Sequence, residues 1–291
     1  MTTSFFAKAL SANPHNTFGK GHKTRAVNGG GDAYFTRADV VQTCMTQLKA
    51  QLKRFRIAAT KRLYLEPSAG AGAWLDALPK GVAYQAYDIK PSADGIEQAN
   101  FYDVTVPDGC IVIGNPPFGF MAKEAVGFFN HAATGADVIA FIVPRTFKKQ
   151  SIQNKLDTAF HLKFEQDLPA YAFEVDGVPH DVPCVFQIWR RQVKPRAIVK
   201  ISIDNPWFEF TIPAAADFSV RRVGGQAGRV LNGTDHSKSS TYFIRCKQQP
   251  ALVRKALERI DRSVVDDTAG VRSISKQELV AAFFSSLQKL L

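Results

Sequence analysis

The chain has 291 residues, 45% of them hydrophobic and 22% charged, with a formal net charge of +11. That length supports one large domain or two modest ones around a sizeable core, and no apolar run is long enough to span a bilayer. Four scattered cysteines, Cys44, Cys110, Cys184 and Cys246, form no Cys-x-x-Cys pair, which argues against a disulfide framework or a metal site and for buried thiols in a reducing cytoplasm.

Residues 1–31 carry four basic residues and no acid. Asn13-Pro14, Gly19-Lys20-Gly21-His22 and Gly29-Gly30-Gly31 give them the composition of a flexible basic arm. The first ten residues do not read as a secretory signal. A helix is predicted over 38–55, with Val40, Val41, Cys44, Leu48 and Leu52 on one face. A short strand over 62–65 ends at Glu66 and is followed by a helix start over 73–78. A second strand, 82–87, ends at Asp88. The apolar run Cys110-Ile111-Val112-Ile113-Gly114 reads as a buried strand. A helix over 122–133 and a strand over 138–143, stopped by Pro144, come next. This alternation predicts a parallel sheet with helices on both faces.

Residues 32–189 hold 15 basic and 17 acidic residues, whereas 190–291 hold 18 basic and 9 acidic. A second body begins near Arg190, with strands expected over 197–203 and 207–212, an arginine- and glycine-rich stretch over 220–231, and helices over 250–262 and 275–290. A near-neutral centre between basic flanks suits a polyanion partner such as nucleic acid. A solvated basic surface on a small α+β appendage is the competing explanation.

Asn115-Pro116-Pro117-Phe118 is the most informative stretch. Two prolines fix two φ angles and remove two backbone donors, and they push Asn115 away from helical geometry. The product is a stiff loop at a strand's carboxyl end, offering an amide, free carbonyls and an aromatic face. It suits a flat group bearing an NH2. The Asn115 side-chain oxygen and a backbone carbonyl each accept one N–H, and Phe118 stacks on the ring.

Glu66-Pro67-Ser68-Ala69-Gly70-Ala71-Gly72 lies between a strand and a helix, where glycines let a ligand approach the backbone and where doubly wound sheets bind nucleotides. Such a turn is equally often only a tight connection. Asp88, at the next strand end, fits a ribose-binding acid or the start of a surface turn. Asp103, in Asn100-Phe101-Tyr102-Asp103, fits an adenine-binding acid or a turn cap.

Taken in order, these segments resemble the S-adenosylmethionine-dependent amino-methyltransferases that modify adenine, over about residues 32–192. The resemblance implies an α/β fold, a Rossmann-like class I methyltransferase sheet of seven strands with a small C-terminal α+β region. It implies S-adenosylmethionine contacts at Glu66, Ser68, Gly70, Gly72, Asp88 and Asp103, and a catalytic Asn115-Pro116-Pro117-Phe118. Gly31-Asp32-Ala33-Tyr34-Phe35-Thr36 resembles the family's N-terminal cofactor motif, with Arg37 where a proline usually stands, and adds Thr36 to the cofactor set. Pro183-Cys184-Val185-Phe186-Gln187-Ile188-Trp189 resembles the late hairpin strand, with Trp189 read as a core residue. No metal is called for.

Among these enzymes the motif order resembles adenine-N6 methyltransferases of DNA that carry target recognition after the catalytic domain. By it, 1–31 is an arm, 32–192 the methyltransferase domain, and 193–291 a basic target-recognition region with Arg221, Arg222 and Arg229 on nucleic acid. RNA adenine methyltransferases share a similar motif, as do protein glutamine methyltransferases with Tyr in place of Phe118. A nucleic-acid-binding module with an inert methyltransferase fold is a further alternative. Asp204-Asn205-Pro206-Trp207 mimics the catalytic motif but lacks the second proline and a buried strand before it, so it is read as structural.

Overall fold

In the computed structural model, residues 34–175, 177–200, 202–268 and 270–291 are described. The expected arm over 1–31 and the first three residues of the N-terminal motif lie outside them. The chain divides into two compact units. One takes in the described residues up to Val143 together with 155–196, and the other 144–154 and the residues from 197 onward.

The first unit contains β1 (Phe35–Thr36), β2 (Tyr64–Glu66), β3 (Tyr84–Asp88), β4 (Glu97–Gln98), β5 (Ile111–Gly114), β6 (Val138–Pro144), β7 (Phe160–Asp167), β8 (Phe173–Val175), β9 (Val178–His180) and β10 (Cys184–Arg191). Its helices are α1 (Ala38–Phe55), α2 (Ala73–Asp76) and α3 (Lys123–Ala132). Seven of the strands form one mixed sheet in the order β4-β3-β2-β5-β6-β10-β7. β4, β3, β2, β5 and β6 run parallel, and β7 and β10 pair antiparallel.

β5 and β6 are buried along their whole length, because a strand covered on both faces has no polar side to present. On one face Ile111, Ile113, Val138, Ala140, Ile142, Phe186 and Ile188 pack with Val40, Val41, Cys44, Met45, Leu48 and Leu52 of α1. A register shift falls between Ile188 and Trp189 of β10. Trp189 is buried, donates from Nε1 to Gln187 Oε1 at 2.9 Å, and meets Phe129 of α3 edge-on. β8 and β9 form a hairpin between β7 and β10, and β1 adds to it antiparallel, Thr36 opposite Phe173.

The second unit holds α4 (Gln150–Gln153), β11 (Phe208–Thr211), β12 (Phe218–Arg221), β13 (Val230–Leu231), β14 (Thr241–Cys246), α5 (Pro250–Glu258) and α6 (Lys276–Gln288). Its sheet runs β11-β14-β12-β13, antiparallel throughout. One face (Phe208, Phe218, Val220, Ile244) packs against Val253 and Leu257 of α5 and Leu279 and Phe283 of α6. Ser275 and Glu278 form a reciprocal capping box that starts α6. The strand expected over 197–203 is not formed by the described residues there. Its alternation is real, but Ile198, Val199 and Ile203 are exposed, so no buried face rewards pairing.

Cys44, Cys110 and Cys184 are buried and Cys246 partly so, all as free thiols. Burial pushes the Cys44, Cys110 and Cys246 thiols up to about 12, which leaves them unreactive. Among the described residues, no helix is long and apolar enough to cross a membrane, and no group of three or more His, Cys, Asp or Glu is placed to hold a metal ion.

Candidate active site

Strand order reverses between β2 and β5. From β2 the sheet continues through β3 to β4, and from β5 it continues the other way to β6. The carboxyl ends of β2 and β5 therefore flank a topological switch point, the place where open α/β sheets bind ligands. Glu66 ends β2, and Asn115 immediately follows β5.

Glu66 is 1% exposed, and its Oε2 has no hydrogen-bond partner among the described residues. Burial, reinforced by the charge of Asp88, pushes its carboxyl up to about 8, because low dielectric and a like charge both disfavour ionisation. Gly114 passes beside it at φ 141°, and a Cβ there would lie 3.4 Å from Glu66 Cγ.

The loop after β2 is held from several sides. The Gly70 N–H donates to Asp88 Oδ2 at 2.8 Å, and the Lys90 N–H to Asp88 Oδ1 at 2.7 Å. The Ser68 hydroxyl donates to the Asn115 carbonyl at 3.1 Å, tying the loop to the Asn-Pro-Pro-Phe segment. Gly70 and Gly72 adopt φ 52° and 84°, a left-handed backbone that glycine takes without steric cost. The ring of Phe35 lies over Gly70, so that a Cβ would come within 3.3 Å of its Cε1. Thr36 is buried beside it in β1.

On the β5 side, Asn115 Oδ1 is buried and lacks a partner among the described residues. Pro116 is buried and Pro117 exposed. Phe118 is partly buried against the core beneath α1. Then come three left-handed residues, Gly119, Met121 and Ala122, at φ 65°, 54° and 60°. Glu124, in the first turn of α3, packs so closely on Gly119 that a Cβ there would collide with its side chain. The Tyr102 hydroxyl donates to Glu124, and burial together with that carboxylate raises the phenol's pKa. The same hydroxyl occupies the space where a Cβ on Gly127 would stand.

The structure thus brings Glu66, Ser68, Gly70, Asp88 and Asn115 into one connected set. Asp103 is exposed in the turn 101–103 and, among the described residues, joins none of these contacts. Asn100, not Asp103, caps that turn, accepting the Tyr102 N–H at 3.2 Å. Three contributors went unanticipated: Phe35 as the cover of Gly70, Ser68 as the link to Asn115, and the Tyr102–Glu124 pair. Glycines at 119 and 127 were the available signal for the last, since each leaves room for a bulky neighbour.

In the second unit, Arg221 is half-buried and donates to Ser240 Oγ at 2.8 Å. The exposed Arg222 guanidinium lies 5.5 Å from the centre of the Tyr242 ring. Arg229 is exposed, and its carbonyl accepts the Arg221 N–H at 2.9 Å, so a single hairpin carries all three arginines. Asn205 is buried, and its Oδ1 accepts the N–H groups of Trp207 and Phe208, each at 3.0 Å. It is a backbone cap, as the sequence context indicates.

No protein-family model matches the sequence, and no curated protein matches it significantly. Some solved structures resemble the chain in part. A protein described as an RNA methyltransferase from Pyrococcus horikoshii is 13% identical, with a TM-score of 0.39 over 54% of this chain and 83% of that one. A modification subunit assigned to a type I restriction enzyme from Vibrio vulnificus YJ016 is 13% identical, with a TM-score of 0.43 over 87% of this chain and 61% of that one. The 23S rRNA methyltransferase ErmE is 12% identical, with a TM-score of 0.40 over 87% of this chain and 99% of that one.

Proposed function

We propose that this chain transfers a methyl group from S-adenosylmethionine to the exocyclic N6 amine of adenine in DNA. The observation that carries the reading is the pair of unpartnered buried acceptors at the switch point, Glu66 Oε2 and Asn115 Oδ1, on loops joined through Ser68. A buried acceptor without a donor costs about 1–3 kcal/mol, and a ligand bearing N–H groups or positive charge relieves that cost.

The residues present fit the cofactor. Thr36, Glu66, Ser68, Gly70, Gly72, Asp88 and Asp103 would hold it, with Phe35 beside them. Gly70 and Gly72, both left-handed, present no Cβ to a ligand, and Asp88 keeps acceptor capacity beyond the two N–H bonds it takes, since a carboxylate has about four lone-pair sites. S-adenosylmethionine, when bound, supplies an electrophilic methyl group on a sulfonium.

The adenine amine is a poor nucleophile because its lone pair is delocalised into the ring. Asn115 Oδ1 accepts one of its N–H groups and the Pro116 carbonyl the other, which favours a tetrahedral nitrogen and frees the lone pair. This stabilises the transition state more than the planar ground state. Phe118 stacks on the base, a contact worth about 1–3 kcal/mol. Arg222 and Arg229, on the hairpin that Arg221 braces through Ser240, and the charge of the second unit supply phosphate and base contacts.

The test is radiolabelled methyl transfer offered in parallel to unmethylated DNA, RNA and protein, followed by nucleoside and amino-acid analysis. N6-methyladenine in DNA is the expected product. Label in RNA adenine would move the substrate to RNA, and label in cytosine or glutamine would overturn the reading.

A further inference from the structure

Directly after the Asn-Pro-Pro-Phe segment, the chain turns two large apolar side chains toward solvent. Phe120 is 45% exposed and Met121 72%. The turn that presents them is strained, since both Met121 and Ala122 are non-glycine residues in left-handed geometry, at a cost of about 1–3 kcal/mol each. Such strain persists only where the surroundings enforce it. Here Ala122 is buried, its N–H donates to the Gly119 carbonyl at 3.3 Å, and the Ala125 N–H donates to the Phe118 carbonyl at 3.4 Å. Glu124, held by Tyr102, wedges against Gly119. The fold therefore fixes the backbone at an exposed methionine. Lys123, also exposed, stands two residues on.

Asn115 Oδ1, by contrast, is buried. A paired adenine cannot bring its amine to an acceptor below the surface without leaving the stack, which costs a few kcal/mol. Apolar side chains do enter base steps of DNA in other systems, and one standing in the vacated step would replace stacking contacts that the extruded base gives up.

We propose that Met121, with Phe120 beside it, is a wedge that enters the base stack of the nucleic acid and stabilises the extruded target base. Lys123 meets a flanking phosphate. The proposal rests on the methyl-transfer reading above. Met121 is a positioning residue and touches neither the amine nor the cofactor.

The test uses the full chain and DNA with a randomised stretch between fixed arms. Primer extension gives a fully paired form, and melting and reannealing gives a form whose randomised stretch is an unpaired bubble. In Met121→Ser, transfer to paired adenine is expected to fall at least about 10-fold, while transfer to the bubble changes less than about two-fold, since an unstacked base needs no wedge. Met121→Leu is expected to restore the paired rate. S-adenosylmethionine binding by calorimetry is expected to be unchanged in both variants, which excludes a folding defect. Equal losses on both forms, or no loss on either, would overturn the wedge, as would a wild-type protein that labels the paired form and not the bubble. Wild-type protein that labels adenine in neither form would instead overturn the functional reading, and the wedge with it.

Discussion

Asn115 and Glu66 answer to opposite physics. The Asn115 oxygen is neutral and lies buried without a donor, so its value is realised only when an amine occupies the site. Asn115→Ala is expected to lower methyl transfer by about 10²–10³-fold, the range for removing one preorganised hydrogen bond at a reacting centre, while calorimetric affinity for S-adenosylmethionine stays within about two-fold. Normal turnover in that variant would remove Asn115 from the chemistry. Glu66 carries its cost within the fold itself. Its carboxyl is raised from an ordinary 4.5 to about 8, so between those values the native state keeps a proton that the unfolded chain has released. Stability therefore falls as pH rises through that window. Glu66→Gln has no such dependence. Its melting temperature is expected to match wild type near about pH 4 and to exceed it by at least about 2 °C near about pH 9. Parallel melting curves across the range would show that Glu66 is ionised in the fold.

At the scale of elements, the loop after β2 owes its shape to a side chain on β3. Both Asp88 oxygens accept backbone N–H groups, from Gly70 and Lys90, so the acid expected to bind a ligand also shapes the loop that would cradle it. Asp88→Ala is expected to weaken S-adenosylmethionine at least about 10-fold, and to speed hydrogen exchange at the Gly70 amide, because a hydrogen bond to a carboxylate contributes about 1.5–3 kcal/mol before solvent screening. Unchanged affinity would take Asp88 out of the site. The same loop shows what sequence pattern can and cannot reveal. α1 was legible because its apolar residues recur at helical spacing, and β5 and β6 because apolar runs bounded by proline or glycine have few other uses. Glu66, Asp88 and Asn115 were legible as residues at strand ends. The pairing of β1 with the β8–β9 hairpin was not, since Phe35 and Phe173 lie far apart in sequence and a two-residue strand has no periodicity. Phe35 over Gly70 is invisible for the same reason. The alternation over 197–203 misled because period two announces a strand only when one face is buried.

For the whole molecule, the question is whether charge is function or solvation. Of the net +11, residues 190–291 hold 18 basic against 9 acidic side chains, and four of the basic ones are engaged in ion pairs. Arg245 pairs with Glu209, Arg254 with Glu258, Arg272 with Asp266 and Lys247 with Asp204. Exposed pairs of this kind contribute about 0–1 kcal/mol to stability, and they also cancel charge that a polyanion would otherwise feel. Arg222 and Arg229 differ. Both are exposed, one poised on an aromatic ring and the other on the same hairpin. Arg221 is partly withdrawn by Ser240. If the hairpin grips phosphate, each exposed arginine releases counterions on binding, and the slope of log affinity against log salt is steeper by about 0.9 per contact on duplex DNA. Arg222→Ala with Arg229→Ala is therefore expected to reduce the slope by about 2 and to weaken binding evenly across DNA sequences. Arg221→Ala is expected to change the slope by less than half a contact and to lower the melting temperature instead. A fluorescence-anisotropy titration over a range of salt concentrations separates these effects. An unchanged slope in the double variant would mean that the basic face of this unit is solvated and that DNA is held elsewhere on the chain.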